Sequence, residues 1–77
     1  MIDLQTAKEH LRLAEEHVAA GERSIARQRQ VIRELERDGH DSTNAHELLE
    51  QFEEIQAMHV QGRDRLVDEL AGLTREP

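Results

Sequence analysis

Apolar residues return at every seventh position through the first half of this chain: Leu4, Leu11, Val18, Ile25 and Ile32. Three places after each stand Ala7, Ala14, Gly21, Gln28 and Leu35. A seven-residue repeat with two such positions keeps one seam of an α-helix turned toward a neighbouring helix. Nothing interrupts the pattern. The sole proline is the terminal Pro77, and the helix formers Ala, Leu, Glu, Arg and Gln dominate.

The clearest break is Asp38-Gly39-His40-Asp41-Ser42-Thr43. Gly39 suits the left-handed position just past a helix C-terminus. Asp41, Ser42 or Thr43 can accept the free N–H groups that open the next helix. The pattern therefore predicts a helix over 3–37, a turn over 38–43 and a helix over 43–73. The second apolar stripe runs through Ala45, Leu48/Leu49, Phe52, Ile55, His59, Gly62, Leu66, Leu70 and Leu73. So short a turn makes the helices antiparallel neighbours. Folding at residues 39–41 brings together residues whose numbers add to about 80, which pairs Gly21 with His59, Val18 with Gly62 and Ala14 with Leu66. Small residues then meet large ones, so Gly21, Gly62, Gln28 and His59 become the residues that set register. The expected fold is all-α: a two-helix antiparallel coiled-coil hairpin in a single domain spanning 1–77.

A chain of 77 residues has too little interior to be stable without help, and no cysteine is present to supply a disulfide. A regular helix pair, a metal or oligomerisation must provide the rest. Leu13, Val31, Met58, Val60 and Val67 lie off the main stripe and are candidate interaction residues. The simplest closure is a homodimer forming a four-helix bundle. A larger oligomer or another helical protein partner is the alternative.

Chemistry finds little to work with. Phe52 is the only aromatic residue, and net charge is −7. That balance opposes binding to nucleic acid or to an anionic membrane. The arginine-rich stretch Arg23, Arg27, Arg29, Arg33 and Arg37 is interleaved with Glu22, Glu34 and Glu36, and it faces Glu47, Glu50, Glu53 and Glu54. Ion pairing on a solvated face accounts for it, with weak nucleic-acid regulation as a rival use. Neither His-Glu-x-x-His nor Glu-x-x-His occurs. In the hairpin register His17 and His59 lie within a turn of each other, which leaves a His-dependent metal or pH sensor as an alternative role. Ser42 has His40 and Asp41 beside it, but three neighbours on one tight turn serve turn and cap chemistry, not a catalytic triad. No phosphate-binding loop is present. No apolar run approaches the roughly 18 residues that span a bilayer, so the expected location is the cytoplasm. The chain is expected to be neither an enzyme nor a cofactor carrier.

The run Gly21-Glu22-Arg23-Ser24-Ile25-Ala26-Arg27-Gln28-Arg29, followed by Leu35, Gly39-His40-Asp41, Ala45, Leu48-Leu49, Phe52-Glu53, His59 and Arg63-Asp64-Arg65-Leu66, resembles a group of short uncharacterised helical proteins from alphaproteobacteria. The resemblance covers about residues 11–70. It implies a bacterial origin and carries no activity, cofactor or catalytic residue with it. The function expected from the residues is that of a self-associating helical interaction module, structural, adaptor or regulatory.

Overall fold

The computed structural model describes residues 3–75. It consists of two long helices, α1 over Leu4–Arg37 and α2 over Thr43–Thr74, packed against each other as a hairpin. No strand occurs among the described residues. The rod measures 61 × 17 × 14 Å, longer than the roughly 45 Å that a 30-residue helix gives at 1.5 Å per residue. The difference comes from a longer α1, of 34 residues, and from the turn beyond it.

Each helix end is held by a local device. Asp3 accepts the Thr6 N–H at 2.7 Å and so caps α1, which holds its carboxyl below the ordinary carboxylate value. At the other end Gly39 adopts φ +75°, the left-handed region. That turn lets the Gly39 N–H donate to Glu36 O at 3.2 Å and the His40 N–H to Leu35 O at 2.8 Å. Two carbonyls left without partners at the end of α1 are thereby satisfied. Ser42 occupies the capping position of α2 by its backbone, but its hydroxyl caps nothing. Asp41 serves instead: it accepts the Thr43 hydroxyl at 2.7 Å and the Thr43 N–H at 2.9 Å, and both bonds lower its pKa.

The seam differs from the expected one by a one-residue slip in the middle of α2 and by the exposure of Leu4 and Leu73 at the open end of the hairpin. On α1, Ala7, Val18, Gln28 and Ile32 are buried, as the heptad predicts. On α2, no residue is fully buried, and the half-buried stripe is Ala45, Leu49, Phe52, Gln56, His59, Arg63, Leu66 and Leu70. These positions alternate by four and three. They place polar Gln56 and Arg63 in the seam where Ile55 and Gly62 were expected. Ile55 is 45% exposed, and Leu48 and Leu73 also face solvent. Gly62 packs against nothing, since a methyl group added there would meet no atom within 4 Å. Following apolarity alone slips the α2 stripe by one residue. The helix keeps its coiled-coil rhythm instead, and long amphipathic side chains fill the gaps with their stems.

The turn depends on a conformation that glycine adopts freely and a Cβ opposes. Gly39→Ala is expected to lower hairpin stability by about 1–2 kcal/mol, the cost of forcing an L-residue into the left-handed region. Urea unfolding followed by circular dichroism measures it, and an unchanged midpoint would show that the turn is not under this constraint.

Candidate functional site

Among the described residues, two grooves lie between the helices near the middle of the rod, one on each side of the seam, and they differ in character. The first, about 260 Å³, is lined by His17, Ala20, Gly21 and Ser24 of α1 and by Phe52, Ile55, Gln56 and His59 of α2. None of these residues carries a fixed charge. The second is lined by Ile25 of α1 and by Glu53, Gln56, Ala57, Val60 and Gln61 of α2. Arg29 reaches across this side to Glu53 at 3.3 Å. With both partners about half exposed, that bridge contributes no more than about 1 kcal/mol.

The floor of the first groove is built by a close approach between the helices. Gln56 lays its amide across α1 at Gly21 and donates from Nε2 to the Val18 carbonyl at 2.9 Å. A Cβ on Gly21 would overlap the Gln56 amide oxygen. Gly21 is therefore small because Gln56 covers it. The expected partner His59 lines the same groove about one helical turn further along. Val18 likewise meets Gln56 and not Gly62. A second amide works in the opposite direction: Gln28 of α1, only 9% exposed, donates from Nε2 to the Ala45 carbonyl of α2 at 2.9 Å. Each helix thus sends one glutamine to the other's backbone. Backbone groups sit at fixed heights along a helix, so these two bonds pin the register more tightly than apolar contacts do.

His17 and His59 are adjacent, as the register implied. Their ring centroids lie 5.6 Å apart and the planes tilt by 35°. His59 Nδ1 is shielded from solvent and has no hydrogen-bond partner, as does the Oε1 of Gln56. The pair offers two nitrogen donors at one place. Among the described residues, no group of three or more His, Asp or Glu side chains converges on a point where a metal ion would sit.

The five interaction candidates separate between the two sides. Leu13 and Val31 are exposed and stand seven residues from Ala20 and Ser24, on the side of the uncharged groove. Met58, 63% exposed, follows Ile55 by three residues on the same side. Val60 lines the charged groove, half-buried, and Val67 lies seven residues beyond it. Four exposed apolar residues were assigned to the seam by the sequence pattern: Leu4, Leu48, Ile55 and Leu73. Gln56 was not anticipated at all, because a polar residue gives no apolar signal. The clue lay in Gly21: a mid-helix glycine implies a side chain crossing over it.

In the arginine stretch, Arg29 pairs with Glu53, Arg37 with Asp38 at 3.2 Å, and Arg33 donates to Gln30 at 2.7 Å. No helix among the described residues is long and apolar enough to cross a membrane. No protein-family model matches the chain, and no curated protein or solved structure matches it.

The Gly21–Gln56 contact predicts a size-dependent response. Gly21→Ala displaces only the mobile end of Gln56 and adds a better helix former, so the lost hydrogen bond and the gain of about 1 kcal/mol in helix propensity nearly cancel. Gly21→Leu forces the helices apart and costs about 1–3 kcal/mol. Chemical unfolding of both variants distinguishes them; equal midpoints would mean that the helices do not approach closely at this point.

Proposed function

We propose that this protein is a self-associating helical interaction module whose working form is a homodimer with the two hairpins joined as a four-helix bundle. The observation that carries this reading is the thinness of the interior. The buried apolar residues are Ala7, Val18 and Ile32, all on α1, and α2 buries no side chain fully along its 32 residues. Meanwhile Leu4, Leu13, Val31, Leu48, Ile55, Met58, Val67 and Leu73 remain exposed. Scattered apolar residues on a surface are ordinary. Eight large ones among the described residues, against two large apolar side chains that are fully buried, Val18 and Ile32, are what a bundle looks like with half of it removed. A non-catalytic role fits the same geometry, since the grooves are shallow troughs between two helices and enclose no water-excluded space around a nucleophile or an acid–base pair. A second copy would cover the apolar surface and supply the missing interior.

Light scattering coupled to size-exclusion chromatography at micromolar concentration is expected to return twice the chain mass, with helicity retained. A stable, fully helical monomer at the same concentration would overturn the proposal.

A further inference from the structure

The two sides of the rod are not equivalent, and the difference shows where a second copy docks. Five of the exposed large apolar residues fall on the side of the uncharged groove. Ile55 lines it, Leu48 precedes Ile55 by seven residues and Met58 follows it by three; Leu13 and Val31 stand seven residues from the groove-lining Ala20 and Ser24. On α2 the seven-residue spacing of Leu48 and Ile55 runs along this flank, and on α1 Leu13 and Val31 stand toward its two ends with the smaller Ala20 and Ser24 between them. The other flank carries Glu15, Glu22, Arg29, Glu53 and Asp64 at the corresponding places, with Val60 and Val67 the large apolar residues among them.

We infer that the flank around Ala20, Ser24, Phe52 and Ile55 is the surface on which a second copy of this chain packs, across a two-fold axis. The inference rests on the self-association proposed above and assigns it a face. Charge favours a second copy as the occupant. A two-fold interface sets each residue near the axis against its own counterpart, so any fixed charge there meets itself and repels. The chain carries a net charge of −7, yet the residues lining the groove on this flank include no Asp, Glu, Lys or Arg; the charges that follow in the seven-residue repeat are Arg27, after Ala20, and Arg65, after Met58. The opposite flank would set Glu22, Glu53 and Asp64 against their own copies. Area agrees as well. A side 61 Å long and 14–17 Å wide projects roughly 850–1,040 Å², and a stable protein–protein interface needs about 800 Å² from each partner. Shape points the same way. The groove carries the small residues Ala20 and Ser24, and the space beside Gly62 is open, so protruding side chains of a second copy such as Met58 have somewhere to go.

The chain has no native cysteine, so single thiols report on each flank without interference. Ala20→Cys places a thiol in the uncharged groove and Ala57→Cys places one in the charged groove; both positions are exposed in the hairpin. Both substitutions are small, and circular dichroism confirms that each variant keeps its helices. Alkylation rates are then measured over a dilution series while light scattering reports mass. The Ala20→Cys thiol is expected to react about tenfold more slowly once nine-tenths of the chains are paired, and to recover on dilution. The Ala57→Cys thiol is expected to react at one rate throughout. Protection of the Ala57→Cys thiol, or protection of neither in a sample of dimer mass, would overturn the choice of face and leave self-association standing. A monomeric mass for the unaltered chain at every concentration would instead overturn self-association itself, and this assignment with it.

Discussion

Two helices lying side by side can shield only one stripe of each from water, and everything else in this protein follows from that limit. The hydrophobic contribution scales with the apolar area covered, about 25 cal/mol per Å². Here the covered area comes from a few side chains on α1, chiefly Val18 and Ile32, with half-buried partners on α2. Against it stands the entropy lost in ordering more than sixty residues into helices. The helices lower that cost through good intrinsic propensity and through caps at Asp3, Gly39 and Asp41, but local devices of this kind contribute only about 0.5–2 kcal/mol each. A rod of this construction gains most by finding more surface to cover.

What the seam lacks in apolar burial it partly replaces with geometry. Gln56 and Gln28 reach in opposite directions to backbone carbonyls of the facing helix. In stability terms a neutral hydrogen bond of this type contributes about 1 kcal/mol. Its larger effect is on alternatives. Sliding α2 by one turn would leave the apolar contacts roughly as good, because the stripe repeats, but it would move both amides away from their acceptors and bring Gln56 against a residue with a Cβ. Gly21 is the complement to that arrangement. Its absent side chain is the space that Gln56 occupies.

The same distinction explains what could be read from the amino-acid order. Both helices, the turn at Gly39 and the neighbouring positions of His17 and His59 were legible, because heptad spacing and a left-handed glycine are local signals that tertiary packing had no reason to overrule. The α1 seam was legible for the same reason. The α2 seam was misread because its rhythm and its apolarity disagree: Leu48 and Ile55 are greasier than Gln56 and Arg63, yet the four-three alternation selects the polar pair, while Leu73 keeps the alternation and is exposed at the end of the helix. That conflict carries information of its own. Leu48 and Ile55, displaced from the inner seam, fall with Met58 on the flank proposed above for a second copy. Leu13, Val31 and Met58 looked scattered on the sequence because the faces of the hairpin cannot be drawn until the register is known.

The proposed pairing would supply the stability that the hairpin's own thin interior leaves out. Thermal unfolding followed over a hundredfold range of chain concentration tests this most directly, since association coupled to folding makes the midpoint depend on concentration by mass action. A midpoint that climbs steadily with concentration is the predicted result. A midpoint that stays fixed across the whole range, with a single cooperative transition, would mean that one hairpin is sufficient by itself and would contradict the account.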